Sequence, residues 1–316
     1  MAMNTKAQVQ LLRGNMPQLK GLTLEEGALF YEKTSGILFT SSGSDGHKLG
    51  YVRGRDARRD GFGTTIYVGP DGSNDNYGFT KDDAVHCIAR AIDVSAYLSD
   101  RHGVFIVLLG DVNWFDEEYV TALDNVQGGM SMPCMITIQS DASLSQPAHL
   151  ALGVVRVFNT CISLLNLVLD SVEHYGSTQA DTGGYFLCLL GCSSIYLSNC
   201  TLNNNHYKEG LYISDCSYMW MNSCQYNIGN IGASQSMVLS LGSATDIYNS
   251  QINGTFSLAT LYAAKGSYIG TRNISGNCIG KRFVVRNCSS LDTYGSGPNA
   301  IPGTIGGDAD STSIYV

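Results

Sequence analysis

The sequence predicts an all-β fold, a parallel β-helix in which short strands wind into a solenoid. The main observation is a strand-like motif that recurs through the C-terminal half at intervals of 31, 24, 26, 24 and 22 residues, anchored at Cys161, Cys192, Cys216, Gly242, Gly266 and Cys288. Each repeat holds two or three short strands of alternating polarity, separated by Gly, Asn or Ser turns. A repeat of this length built from strands is typical of a solenoid.

A leucine-rich repeat is the competing solenoid of similar period. It requires the pattern L-x-x-L-x-L-x-x-N, and the leucine spacing here does not hold from one repeat to the next. A parallel β-helix needs only small or apolar residues at inward positions and polar residues at turns. The repeats therefore favour the β-helix.

The ten cysteines fit such a fold as buried, small apolar side chains rather than as disulfides. Four of them share one repeat position and two share another, so we expect inward-facing thiol stacks: Cys161, Cys192, Cys216 and Cys288, and Cys200 with Cys224. The best zinc candidate, Cys188 with Cys192, has no matching second pair of ligands. We therefore expect no metal site and no cofactor.

A second stack is expected from asparagines that recur seven residues after their anchors. Asn199, Asn249 and Asn273 occupy this position. Stacked asparagines form hydrogen bonds from strand to strand. We therefore expect a hydrogen-bonded asparagine ladder at one corner of the solenoid.

Composition excludes several classes of function. Charged residues make up 15% of the chain, against about a quarter in ordinary globular proteins, so the surface depends on Ser, Thr, Asn and Gly. The net charge of −8 argues against a nucleic-acid partner, which would need a basic surface. The longest apolar runs, such as residues 104–109, are too short for membrane insertion. With no apolar segment behind the N-terminus, folding in a cytoplasm is expected.

Three regions are expected along the chain. Residues 1–55 form a small β-rich module, with strand candidates at 9–12, 28–31 and 37–40. Residues 56–65 form a basic linker, in a stretch that contains Arg53, Arg55, Arg58 and Arg59. Residues 66–316 form the solenoid body.

An amphipathic helix is expected at the start of the body, over residues 80–98. Thr80 is its candidate N-cap, and Asp82 and Asp83 favour the helix dipole in its first turn. Residues 105–109 and 135–139 are the expected first rungs. A helix at this place would cap the open end of the solenoid, where strand edges and core are exposed.

Two segments resemble known families. Residues 8–14 (QVQLLRG), 26–31 (EGALFY) and 36–39 (GILF) resemble the N-terminal attachment modules of bacteriophage tail fibres. Residues 66–78 (IYVGPDGSNDNYG), followed by Thr80 and a helix with Ala91 and Ile92, resemble the entry of pectate-lyase-like right-handed parallel β-helices. That entry is common in phage tailspikes and in secreted carbohydrate-active proteins.

The resemblance implies a homotrimeric component of the phage virion, made in the host cytoplasm and mounted on the tail. Its body would attach to a host cell-surface polysaccharide or another envelope receptor. Its N-terminal module would bind other tail or baseplate proteins. The apolar tail around Ile301, Ile305, Ile314 and Tyr315 is the expected place of trimer contacts.

Receptor binding is expected at two insertion loops that lie at nearly the same offset in neighbouring repeats. These loops carry His174, Tyr175, His206 and Tyr207, and Tyr218 and Trp220 are candidate aromatics of the outer face. The flat apolar rings of Tyr and Trp stack on sugar rings, and their hydroxyl or indole N–H forms hydrogen bonds. Two alternatives stay open: the loop residues are ordinary polar surface, or binding occurs at the C-terminal tip, residues 294–304.

An enzyme is the alternative to a binding protein. A tailspike depolymerase, either a glycoside hydrolase or a lyase, would need convergent groups such as two carboxylates about 5–9.5 Å apart. The candidate acids are Asp170, Glu173, Asp181, Glu209 and Asp215. A bacterial carbohydrate enzyme unrelated to phage is a third hypothesis, which a secretion signal would favour. We expect a non-enzymatic protein and assign no catalytic residue.

Overall fold

The computed structural model describes most of the solenoid body and four strands near the N-terminus. The described residues are 12–14, 29–32, 38–41, 49–52, 64–96, 103–115, 126–127, 136–153, 155–158, 160–172, 185–229 and 234–316. Several predictions lie outside the described residues, namely those for the basic linker stretch and for Glu173, His174, Tyr175 and Asp181.

The N-terminal strands form a sheet of their own. Its strands are β1 (Leu12–Gly14), β2 (Leu29–Glu32), β3 (Leu38–Ser41) and β4 (Leu49–Val52), paired in that order. The β1–β2 pair is parallel, and the other two pairs are antiparallel. Short strands were expected in this region. The proposed domain boundaries at 55 and 65 stay a prediction.

The rest of the described chain is almost entirely short strands. They are β5 (Thr64–Val68), β6 (Val104–Leu108), β7 (Val112–Asn113), β8 (Val126–Gln127), β9 (Ile136–Ser140), β10 (His149–Leu152), β11 (Val155–Phe158), β12 (Cys161–Leu165), β13 (Val168–Ser171), β14 (Tyr185–Leu190), β15 (Ser194–Ser198), β16 (Thr201–Asn204), β17 (Glu209–Ser214), β18 (Tyr218–Asn222), β19 (Gln225–Ile228), β20 (Val238–Leu241), β21 (Ala244–Tyr248), β22 (Gln251–Thr255), β23 (Leu261–Ala264), β24 (Tyr268–Arg272), β25 (Cys278–Ile279), β26 (Phe283–Val285), β27 (Ser290–Asp292), β28 (Asp308–Ala309) and β29 (Ile314–Tyr315). The helical elements are α1 (Ile88–Ala96) and two short 3₁₀ turns, Lys81–Asp83 and Pro298–Ala300.

These strands form three parallel sheets that the chain visits in rotation. Sheet I has the order β29-β27-β24-β21-β18-β15-β12-β9-β6-β5, sheet II β25-β22-β19-β16-β13-β10-β7, and sheet III β28-β26-β23-β20-β17-β14-β11-β8. From β6 to β26 every third strand belongs to the same sheet, so three consecutive strands make one rung. The expected all-β, solenoid-like arrangement of parallel strands is confirmed at this level.

The core lies on the inward side of the sheets and follows the two-residue alternation of the strands. In sheet I, Ile136, Ile162, Ile195 and Met219 stand in register on four successive strands, and each is fully buried. The neighbours of each inward residue point outward. The same alternation therefore lines up outward side chains in columns along each sheet.

From β12 to β27, two of the three corners in a rung are made by residues in the left-handed region. Between sheets I and II, the corner residues are Asn166, Asn199, Ser223, Asn249 and Asn273, all with φ between 49° and 54°. The next residue points inward in each case, and these residues are Leu167, Cys200, Cys224, Ser250 and Ile274, all buried. Asparagine is frequent here because it tolerates left-handed φ better than most residues.

The corner between sheets III and I is sharper. Four of its turns use two left-handed residues in succession, namely Gly191–Cys192, Asp215–Cys216, Lys265–Gly266 and Asn287–Cys288, and Gly242 occupies the same place in the remaining rung. A serine follows every time, and the five serines are buried. The backbone N–H of Ser193, Ser217, Ser243 and Ser267 donates to the serine hydroxyl of the next rung, at 3.0 to 3.4 Å.

The expected inward stack of Cys161, Cys192, Cys216 and Cys288 is wrong. Cys192, Cys216 and Cys288 are exposed, because a left-handed residue at this corner directs its side chain outward. Cys161 belongs to another column, since it is partly exposed on β12 and pairs with Ser194. The true step from this rung to the next is therefore 33 residues, from Ile162 to Ile195. Cys200 and Cys224 are buried as expected.

The helix is shorter than expected. Residues 81–83 form a 3₁₀ turn, and Val85 then makes a parallel bridge with Val68 that holds the backbone extended. Consequently the α-helix begins only at Ile88, and the Thr80 side chain makes no capping hydrogen bond. Neither α1 nor the 3₁₀ turns of the described ranges are long and apolar enough to cross a membrane.

The corner geometry predicts opposite effects of substitution at two cysteines. We expect Cys216→Gly to leave the free energy of unfolding unchanged or to raise it by up to about 1 kcal/mol, because glycine has no penalty at left-handed φ. Cys216→Val should lower it by about 1–2 kcal/mol. Chemical denaturation measures both changes.

The matched control is Cys224→Gly, which removes a buried side chain at 3% exposure. It should lower stability by more than about 1 kcal/mol. If Cys216→Gly proved as destabilising as Cys224→Gly, the outward position of Cys216 would be wrong.

Candidate functional site

Of the two loops expected to bind the receptor, the one with His206 and Tyr207 is described, and part of it belongs to the core. His206 is exposed, but Tyr207 is only 7% exposed, and its hydroxyl donates to the Val172 carbonyl at 2.7 Å. The Tyr207 ring stacks on Phe186, and its backbone N–H donates to the buried Asn204 side chain. Tyr207 therefore closes the corner between sheets II and III, and the expectation that it contacts a receptor is wrong.

The candidate acids do not converge within the described chain. Glu209 and Asp215 lie at opposite ends of β17, roughly 20 Å apart at about 3.3 Å per residue. Asp215 is exposed at a left-handed corner and accepts a hydrogen bond from Ser214 at 3.0 Å. Asp170 lies in a different sheet, on β13. The described members of the candidate set therefore form no carboxylate pair.

Glu209 is a buried carboxyl rather than a surface acid. It is 7% exposed, and the Ser236 hydroxyl donates to its Oε2 at 2.9 Å. Burial raises the pKa of Glu209 above its ordinary value, although the Ser236 hydrogen bond opposes the shift. The side chain is thus held inside the wall of the solenoid.

The outer side of sheet I carries a continuous aromatic surface, which we call the aromatic face. It consists of Tyr196, Tyr218, Trp220, Tyr248, Tyr268 and Tyr294, grouped around Asp246. Tyr196 pairs with Trp220 across β15 and β18, and Trp220 pairs with Asp246 across β18 and β21. The Tyr196 ring centroid lies 6.1 Å from that of Tyr218 and 6.3 Å from that of Trp220. Tyr218 and Trp220 thus lie on the outer face, as expected.

Hydrogen bonds between side chains fix this surface. The Asp246 carboxylate accepts from the Tyr218 hydroxyl at 2.9 Å and from the Tyr248 hydroxyl at 3.2 Å. The Tyr294 hydroxyl lies 3.0 Å from that of Tyr248 and 3.1 Å from that of Tyr268. A single carboxylate therefore joins four tyrosines into one connected network, three of them on strands of sheet I and the fourth, Tyr294, just after β27.

Gly270 makes room for the centre of the network. It pairs with Asp246 on one side and Asp292 on the other. A Cβ at this position would collide with the Asp246 carboxylate and would lie 2.7 Å from the Tyr268 hydroxyl. The missing side chain therefore leaves a shallow notch in which the Tyr268 ring and Asp246 meet.

The hydroxyls of Tyr218, Tyr248 and Tyr268 stay protonated over the physiological range, because the pKa of each is raised. The pKa of Tyr218 and of Tyr268 is raised mainly by burial, and that of Tyr248 mainly by its hydrogen bond with Tyr294. The Trp220 indole N–H has no acceptor among the described residues. The face thus presents aromatic rings, hydroxyl donors, one carboxylate and a free indole donor to solvent.

A second polar group lies in a groove on sheet II. The His149 Nδ1 atom is 2.6 Å from Asp170 Oδ2, and the Asn203 side chain donates to Asp170 Oδ1 at 2.7 Å. The groove has a volume of about 280 Å³ and also contains His86 and Asp111. Sequence reasoning found Asp170 but missed His149, because their pairing depends on the register of β10 and β13.

The residues expected in trimer contacts at the C-terminal end divide between surface and core. Ile305 and Ile314 are exposed, together with Val316, as a contact surface requires. Ile301 is fully buried and belongs to the core, so its assignment to a contact surface is wrong. Tyr315 stacks on Phe283 at 4.7 Å between ring centroids. The C-terminal tip, residues 294–304, begins with Tyr294, which belongs to the aromatic face.

Among the described residues no group of three or more His, Cys, Asp or Glu side chains is arranged to hold a metal ion. The comparisons with known proteins return nothing. No protein-family model matches the chain, and no curated protein or solved structure is significantly similar to it.

The raised pKa of Glu209 predicts a pH-dependent effect of its removal. An acid whose pKa is raised by folding contributes less stability as the pH rises above its ordinary value of 4.5. Glu209→Gln keeps the acceptor for Ser236 but cannot ionise. We expect the variant to melt at a higher temperature than the wild type at pH 7, with the difference shrinking towards pH 4. A difference in melting temperature that grew towards pH 4 would contradict the raised pKa of Glu209.

Proposed function

We propose that the protein is a virion component of a bacteriophage tail, a fibre or tailspike that attaches to the host surface by binding a glycan at the aromatic face. The observation that carries the proposal is the cluster of six outward aromatic residues around Asp246. The sequence resemblances to tail-fibre modules and tailspike solenoids support the virion location.

The composition of the face favours a carbohydrate ligand. Sugar rings stack with their C–H surface on aromatic plates, while their hydroxyls need fixed polar partners. Trp220 offers a ring and a free indole N–H, and Asp246 with the tyrosine hydroxyls offers acceptors and donors. Because hydrogen bonds hold the tyrosines in place, little side-chain entropy is lost when a ligand binds.

The proposed function also implies a handedness for the solenoid, a cap at its N-terminal end and a trimeric assembly. We propose that the three sheets form a right-handed parallel β-helix and that α1, which packs on β5 and β6, caps its N-terminal end. The exposed Ile305, Ile314 and Val316 then lie in the contacts of a homotrimer. The sheet of β1 to β4 serves as the attachment module for other tail or baseplate proteins.

Removal of an aromatic plate tests the binding function. We expect Trp220→Ala and Tyr268→Ala each to weaken adsorption to host cells more than about fivefold, because truncation of an aromatic anchor costs more than about 1 kcal/mol. Cell-binding titrations with labelled protein give the apparent affinity.

The control is Tyr262→Ala, which truncates a partly exposed tyrosine on sheet III. It should leave adsorption unchanged, and light scattering should give the mass of a trimer for all variants. Equal adsorption of the Trp220→Ala, Tyr268→Ala and wild-type proteins would contradict binding at this face. A monomeric wild type would contradict the trimer.

Cleavage of host polysaccharide is the second candidate function, and one contact favours it. The Asp170 carboxylate lies 2.6 Å from His149 Nδ1 and orients the imidazole in a groove, as a carboxylate does for a general-base histidine. We expect the purified protein to release no new reducing or unsaturated ends from extracted host polysaccharide. Release that disappears in both His149→Ala and Asp170→Asn would make the protein a depolymerase.

A further inference from the structure

A second groove lies at the corner between sheets I and II, directly beside the aromatic face. Its volume is about 370 Å³, and its side chains are Asn199, Thr201, Ser223, Gln225, Asn249 and Gln251, with Cys200 and Cys224 beneath them. Thr201, Gln225 and Gln251 stand in register on three strands and form the floor. Asn199, Ser223 and Asn249 are the left-handed corner residues and form the wall. We call this the amide groove.

The groove has no charged side chain in its lining and many unused hydrogen-bonding groups. The side chains of Asn199, Thr201, Ser223 and Gln251 have no partner among the described residues. Asn249 donates one N–H to Asn222 at 2.9 Å and accepts from Asn273 at 3.0 Å, which leaves its second N–H free. The Gln225 side chain donates an N–H to Asn227 at 3.0 Å, and its amide oxygen stays available as an acceptor.

The repeat of the solenoid spaces these groups evenly. Equivalent side chains on neighbouring rungs are about 4.8 Å apart, so three rungs give a row of amides and hydroxyls about 10 Å long. A ligand with hydroxyls at regular intervals along an extended chain matches such a row. A carboxylated or phosphorylated chain would find no cation in the lining to neutralise its charge.

The groove and the aromatic face are adjoining surfaces. Tyr248 of the face is followed directly by Asn249 of the groove wall, and Asn222, which faces the same side as Trp220, accepts a hydrogen bond from Asn249. A ligand seated on the aromatic rings can therefore extend into the groove without leaving the protein surface.

We propose that the amide groove is a subsite for an uncharged, hydroxyl-rich stretch of the glycan chain. The proposal rests on the glycan-binding function proposed above and narrows its ligand class to glycans with neutral, extended segments. The amides recognise hydroxyls, while the aromatic face supplies the stacking contacts.

The test uses the full chain on an array of neutral and acidic bacterial oligosaccharides. The groove variant is the double substitution Gln225→Ala and Gln251→Ala, and the face variant is Trp220→Ala. Gln139→Ala, a partly exposed amide on β9, is the matched control. Thermal melting verifies that each variant is folded.

We expect the wild type to bind glycans that contain neutral segments. The groove variant should bind them roughly fivefold to tenfold more weakly, since each lost hydrogen bond contributes about 0.5–1.5 kcal/mol. The control should bind as the wild type does.

The other possible results reject either the subsite alone or the subsite together with the glycan-binding function. Binding of neutral glycans that falls in the face variant but not in the groove variant rejects the subsite and leaves the proposed function standing. Binding confined to acidic glycans also rejects the subsite. Binding to no glycan of the array, by a folded wild type, rejects the glycan-binding function together with the subsite.

Discussion

The left-handed corner is the constraint on which the rest of this structure depends. From β12 to β27 the chain turns sharply from one parallel sheet into the next at two corners per rung, with φ near +50° to +60° at the non-glycine residues of these corners. Eleven of the twelve non-glycine residues with positive φ in the described chain lie at these two corners. Each costs about 1–2 kcal/mol in isolation, so the surrounding structure must hold them.

Buried hydrogen bonds between rungs provide that support. After four successive corners of sheets III and I, the serine hydroxyl accepts the N–H of the serine in the rung before it, and corner backbone groups also pair from rung to rung. The corners fix the register of the strands. The register in turn places Tyr196, Trp220 and Asp246 in one column and Thr201, Gln225 and Gln251 in another. Both proposed binding surfaces are consequences of this register.

The parts of the fold that follow from local pattern could be predicted from the sequence. Alternation and repeat length gave the parallel strands, and the outward place of Tyr218 and Trp220 follows from the same alternation. The orientation of Cys192 and Cys216 could not be read from spacing, because the left-handed φ that turns them outward is a backbone property of the corner. The pattern Cys-Ser or Gly-Ser at residues 192, 216, 242, 266 and 288 is the signal that marks the corner.

The functional surfaces were harder to predict because they combine residues from several rungs. Tyr207 and His206 are neighbours in sequence, yet one is buried and the other exposed, since Tyr207 turns inward onto Phe186. The asparagine stack was expected among Asn199, Asn249 and Asn273, whereas the bonds run from Asn273 to Asn249 to Asn222. Ser223 occupies the corner between Asn199 and Asn249, and its shorter side chain interrupts the ladder.

Hydrogen exchange of individual backbone amides tests the role of the corners most directly. If the corners hold the solenoid together, the amides of Ser193, Ser217, Ser243 and Ser267 should exchange as slowly as those at the centres of β15 and β18, because they open only when rungs separate. Exchange at these serines as fast as at exposed loop amides, with the strands still protected, would contradict the account.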